Sequence, residues 1–81
     1  MNNVITFAIL QNGKVAHKLR LFPGDILKHF PVQNGKPVFG PNVRRIMTIK
    51  EIMQAGLADS KNKAGDLLRN EPEKCLLPIA A

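Results

Sequence analysis

The chain has 81 residues, with 12 Lys and Arg against 6 Asp and Glu, a net charge of +6 and a pI near 10. Its apolar fraction of 44% and charged fraction of 22% fit a folded domain and not a disordered segment; the length predicts one small domain over 1–81 with a modest core. A single cysteine excludes an internal disulfide framework and a multi-Cys zinc site, and no run approaches the roughly 20 apolar residues of a membrane span.

The first twenty-two residues read as a β-hairpin. Val4 to Leu10 is rich in β-branched and aromatic residues, and Lys14 to Phe22 follows the pair Asn12-Gly13. Asn-Gly supplies the two positive-φ positions of a type I′ turn, the strongest short-range hairpin signal. A regular register from that turn opposes Leu10 with Val15, Ala8 with His17, Thr6 with Leu19 and Val4 with Leu21. Those eight residues then form the core face, with Lys18 and Arg20 on the other. Because Ile5, Phe7 and Ile9 share that other face, the first strand is apolar on both sides. It must be covered by another element, by a second copy of the chain or by a ligand.

Pro23-Gly24 ends the second strand, and Asp25 is placed to cap a short helix over 25–30. Residues 31–42 hold three prolines and two glycines and read as a loop or irregular hairpin. Gln-Asn-Gly-Lys occurs at 11–14 and again at 33–36, one turn solution used twice. The helical pair spans 48–69. Thr48 and Glu51 fit a capping box, with Met47 and Ile52 as its hydrophobic staple, and Gly56 is placed to end the first helix. Asp59 or Ser60 caps a second helix whose inner face is Ala64, Leu67 and Leu68, stopped by Asn70 and Pro72. Ile52, Met53, Leu57 and Leu68 are expected to be buried. The tail, 75–81, is apolar and is expected to lie as an extended segment across the open face of the hairpin. The predicted fold class is therefore α+β.

Charge is unevenly distributed. Residues 1–50 carry eight bases and one acid, whereas residues 51–81 carry four bases and five acids. A polyanion is therefore expected to meet mainly the first half. Lys18 and Arg20 lie one strand period apart with Lys14 at the hairpin tip, and a two-stranded ribbon fits a DNA major groove. Arg44-Arg45, just before the first long helix, are candidates to clamp phosphates. The same cations also suit a solvated surface that keeps a small protein dispersed.

Two helices around Ala55-Gly56-Leu57, the second exposing Ser60, Lys61, Asn62 and Lys63 in its first turn, resemble helix-turn-helix modules over about Thr48 to Leu68. The resemblance implies that these four residues enter the major groove, where Lys and Asn reach base edges and Ser a phosphate. Asn62 and Gly65 stand where such modules usually carry apolar residues. Two antiparallel helices packed for structure alone is the competing reading.

Catalysis has little support. His17 falls on the expected core face, and His29 has only Asp25 at helical spacing. Cys75 lies in apolar sequence, where a thiolate is disfavoured, and no Gly-rich phosphate loop joins a strand to a helix. The four aromatics are all Phe, a poor supply for a stacking platform. Met1-Asn2-Asn3 lacks the basic stretch of a secretory signal. The expectation is a cytoplasmic, non-enzymatic DNA-binding regulator or accessory protein that takes no cofactor and meets no membrane. Duplex DNA is the favoured partner, and homodimerisation is expected to hide the two-sided strand. The alternatives are a protein-interaction module docking through the apolar strand and tail, and an RNA-binding protein.

Overall fold

The computed structural model of the protein describes residues 3–79; Met1, Asn2 and the last two alanines of the apolar tail lie outside them. The fold is α+β. Strand β1 (Ile5–Gln11) turns into β2 (Lys14–Leu21), followed by helix α1 (Pro23–His29). Two short strands, β3 (Val32–Gln33) and β4 (Lys36–Pro37), form a separate small hairpin. Next come β5 (Val43–Ile46), α2 (Ile49–Gln54) and α3 (Lys61–Asn70), then a 3-10 turn (Pro72–Cys75) and β6 (Leu76–Leu77). The main sheet is antiparallel in the order β2-β1-β5-β6.

Both Asn-Gly turns adopt the conformation their residues favour. Asn12 and Gly13 have φ of 55° and 78°, and Asn34 and Gly35 have 54° and 76°, the paired positive values of type I′. The hairpin register, however, departs from the regular one. Leu10 pairs with Val15, as expected, but Ile9 pairs with His17, so Ala16 is an extra residue in β2. From there to the strand ends every partner is shifted: Ala8 faces Lys18, Thr6 faces Arg20, Phe7 faces Leu19 and Ile5 faces Leu21. A β-bulge has this effect because side chains alternate with period two. It corrects the expected core face: His17 is exposed, Leu19 and Leu21 share a face with Phe7, and Lys18 and Arg20 share one with Ala8.

Two separate layers account for the apolar character of β1 on both sides. Phe7 is 3% exposed and Ala8 0%, yet they point to opposite faces. On one face Ala8 joins Ile46, Ile52, Ala64 and Cys75, with Leu67, Leu68 and Leu76 against them; this is the layer of α2 and α3. On the other face Phe7 joins Ile26 of α1 and Val43, with Phe30, Phe39 and Ile79 packed around them. Phe7, Phe30 and Phe39 form a mutual cluster with ring centroids 4.7–5.4 Å apart, which takes three of the four aromatics out of contention as a stacking surface. The two-sided strand is thus covered within one chain, and the need that argued for a dimer is met internally.

Helix boundaries follow local chemistry. α1 begins at Pro23, whose fixed φ and missing N–H suit the first helical position. Asp25 is therefore its third residue instead of its cap, and the expected range 25–30 moves to 23–29. α2 has the expected capping box: Glu51 N–H donates to Thr48 Oγ1 at 3.2 Å, and Thr48 N–H donates to Glu51 Oε1 at 2.9 Å. It ends in a Schellman motif, with Gly56 at φ 77° and Leu57 N–H donating to the Ile52 carbonyl at 3.1 Å. Ser60 caps α3 by accepting from Lys63 N–H at 3.2 Å.

Burial on α2 corrects the expected stripe. Ile52 is wholly buried, but Met53 is 37% exposed and Leu57 47%. A six-residue helix presents barely one turn to the sheet, so a single residue, Ile52, fills the contact. The tail is extended, as expected, but it is the fourth strand of the sheet: Arg45 pairs with Leu77 and Ile46 with Leu76. None of the described helices is long and apolar enough to cross a membrane.

Candidate nucleic-acid interface

Ion pairing divides the cations into two sets. Five acids are taken by five bases: Asp25 by Lys28, Glu51 by Arg45, Asp59 by Lys63, Asp66 by Arg69 and Glu71 by Lys74. The sixth acid, Glu73, accepts from the backbone N–H of Val15 at 3.4 Å. Among the described residues, Lys14, Lys18, Arg20, Lys36, Arg44, Lys50 and Lys61 therefore have no acidic partner. These seven cations, with Glu73 the one acid outside an ion pair, make up the +6 of the chain.

The two arginines expected to clamp phosphates are engaged within the protein. Arg45 donates bidentately to Glu51, Nη1 to Oε1 at 2.9 Å and Nη2 to Oε2 at 2.7 Å. The Arg45 guanidinium, aided by the Thr48 backbone N–H, lowers the Glu51 carboxyl to about 2, and the same pairing raises Arg45. The pair is consequently a fixed, neutral unit that ties β5 to the start of α2. Arg44 Nη1 donates to the carbonyls of Pro41 at 2.7 Å and Val43 at 2.9 Å, so it orders the approach to β5.

Lys18 and Arg20 are placed differently. Both are exposed, and the bulge turns them to the side of the sheet that carries α2 and α3. Lys18 Nζ donates to the carbonyl of Leu68 in α3 at 3.3 Å, a contact that sets its position without neutralising it. Both line a cleft of about 720 Å³ at the end of the sheet, together with Thr6, Arg45, Met47 and Thr48. Lys14 lies away from it, at the exposed hairpin tip. Sequence reasoning found the cations of this cleft but missed Thr6 and Thr48 as its neighbours, because only the shifted register brings Thr6 opposite Arg20.

In the first turn of α3, Lys61, Asn62 and Lys63 are all exposed, as a reading turn requires. Ser60 uses its hydroxyl to cap the helix, and Lys63 pairs with Asp59 at 3.1 Å, which leaves Lys61 and Asn62 as the unengaged side chains. Lys50, exposed on α2, was not among the expected contacts; its position on an outward helical face was readable from the stripe that buries Ile52. The six residues between α2 and α3, 55–60, exceed the three or four of the usual helix-turn-helix connection. Cys75 is fully buried, and burial raises its thiol, with Glu71 adding to the effect, so it is inert as a nucleophile. Comparison with protein-family models, curated proteins and solved structures finds no match to this chain.

Proposed function

We propose that this protein binds duplex DNA, as a regulator or accessory factor, with the α2–α3 side of its sheet toward the nucleic acid. The single observation that carries this proposal is the bulge at Ala16. It turns Lys18 and Arg20 to the side of the sheet that carries α2 and α3, with Lys18 against Leu68 near the C-terminal end of α3, and Lys50 and Lys61 are exposed on those two helices. None of these four cations has an acidic partner among the described residues. A polyanion that meets them gains attraction that no internal ion pair has already used, and releases its own counterions. Lys18, Arg20, Lys50 and Lys61 then hold phosphates, while Asn62 faces base edges in the manner of a recognition helix. A homodimer would present the first turn of α3 twice, to two half-sites.

Fluorescence anisotropy with a labelled duplex at a series of salt concentrations tests this. Affinity should fall steeply with salt, with a logarithmic slope of about −0.9 for each phosphate neutralised. Replacing Lys18 and Arg20 together by Gln should make that slope shallower by about 1.8, whereas Arg44→Gln should leave it unchanged. No binding at low salt, or binding indifferent to salt, would reject the proposal. Single-stranded RNA in the same titration separates the RNA alternative.

A second reading, docking on another protein, draws on a different observation. Ile49, Met53 and Leu57 are each 37–47% exposed, and the first two stand one helical turn apart on α2. Met53→Ser, which adds no charge, should weaken such docking while leaving the salt-dependent DNA affinity intact.

A further inference from the structure

The cleft at the end of the sheet has more chemistry than a flat phosphate-binding surface needs. Its cations sit beside an apolar wall of Val4, Met47 and Leu68, and no carboxylate lines it among the described residues. At about 720 Å³ it falls within the range of small-molecule sites, which run to roughly 300–1,000 Å³. We propose that this cleft takes one nucleoside phosphate, its phosphate between Lys18 and Arg20 and its base against the apolar wall. The inference rests on the nucleic-acid function above and deepens it, from a cationic surface to a seat for a single nucleotide.

The donors are suited to a phosphate. Arg20 makes no hydrogen bond or ion pair among the described residues, so its five N–H groups are available in a planar fork. Lys18 spends one of its three protons on the Leu68 carbonyl. That contact also offsets the partial negative charge near the C-terminus of α3, which would otherwise repel an anion. The two side chains leave one face of β2 two residues apart, roughly 7 Å along the strand, a spacing that two long cationic side chains can bridge onto one phosphate. Thr48 Oγ1 accepts from Glu51 N–H and keeps its own proton to donate, and Thr6 stands opposite Arg20. Arg45 adds shape without net charge, because Glu51 neutralises it. A bare phosphate would use the cations and leave the apolar wall wet; a base with a flat apolar face uses both.

The same chemistry is presented by a free mononucleotide and by an unpaired nucleotide at a strand end. Titration of isotope-labelled protein at low salt, followed by amide chemical shifts, distinguishes them. The probes are deoxyadenosine 5′-monophosphate, inorganic phosphate, a closed blunt hairpin duplex and the same duplex with a 5′ overhang. The mononucleotide should shift the amides of Thr6, Arg20, Met47 and Thr48 in a saturable way, with inorganic phosphate about tenfold weaker. Arg20→Gln, at an exposed position that the fold does not need, should weaken the mononucleotide about tenfold. Larger shifts of Met47 and Thr48 with the overhang duplex than with the blunt one identify the strand end as the source, and equal shifts with the two duplexes identify the free ligand. No cleft shifts up to about 10 mM mononucleotide, or inorganic phosphate as strong as the mononucleotide, would each overturn the proposal. If salt-dependent duplex binding persists in that event, the DNA-binding function stands without the seat; if it is absent too, both fall.

Discussion

Glu51 has three partners: its carboxylate accepts from Arg45 and from the Thr48 backbone, and its own N–H donates to the Thr48 hydroxyl. Glu51→Ala removes half the capping box and leaves Arg45 without a counter-charge, and should cost about 1–2 kcal/mol in urea or thermal unfolding. The sign of the pH effect follows from the lowered carboxyl. Stability from this group is complete above its ordinary value of 4.5 and is lost as pH falls toward about 2. Acid unfolding of the wild type should therefore be steeper across that window than that of Glu51→Ala. Gly65 offers the opposite lesson. It lies inside α3, and a Cβ built there meets nothing within 4 Å. Gly65→Ala should accordingly stabilise the fold by about 1 kcal/mol, visible as a higher melting temperature; a lower one would mean that the helix needs that glycine for a reason packing does not reveal. Asn62→Ala, at an exposed position, should leave melting unchanged and reduce discrimination between duplexes by about 1–3 kcal/mol at one base pair.

Strand β2 shows how a single residue decides which way a run of side chains points. If Ala16 paired regularly, Leu19 and Leu21 would turn toward α2 and α3, and Lys18 and Arg20 toward Phe7 and Ile26, setting cations against the aromatic cluster. Deleting Ala16 removes only the skipped residue, so His17 still faces Ile9 and every later pair keeps its partner; the variant should fold and melt close to the wild type. Deleting Ala16 and His17 together shifts every later residue by one and should unfold the protein or cut its stability by several kcal/mol. Circular dichroism melts check both, and loss of folding on deleting Ala16 alone would contradict the bulge. What could be read from sequence and what could not divides along the same line. The Asn-Gly turns, the Thr48–Glu51 box, the stop at Gly56 and the Ser60 cap depend on residues within a few positions of one another, and all were legible. The bulge was not, because whether Ala16 pairs or is skipped depends on what α1 and the helical pair bring to the two faces. Strand β5 was hidden for a related reason. Val43 and Ile46 are buried with Arg44 and Arg45 between them, a pattern without alternation, so the arginines read as a phosphate clamp instead of as the middle of a strand. The cleft was half legible: Lys18 and Arg20 stood out as charges, but the walls beside them come from three separate elements.

Between these layers the C-terminal segment acts as closure. Cys75 is fully buried, and Leu76 and Leu77 complete the sheet beside β5. Truncation before residue 75 would remove a strand, uncover Ile46 and open the helix-side core at once. The truncated protein should lose several kcal/mol of stability, read as a large drop in melting temperature. An unchanged melt would show instead that the tail merely rests on the surface. The order of synthesis adds a consequence. β1 leaves the ribosome well before either layer that covers it, and its neighbour β5 follows more than thirty residues later. In the interval a nascent hairpin presents Phe7, Ile5 and Ile9 on one side and Leu10 and Val15 on the other, with no partner made for either. Contacts this distant in sequence also slow folding. The strand that anchors the finished fold is thus the segment most exposed to misassociation during translation, and ribosome-bound chains ending near residue 40 should crosslink to chaperones through β1 more strongly than the complete chain does after release.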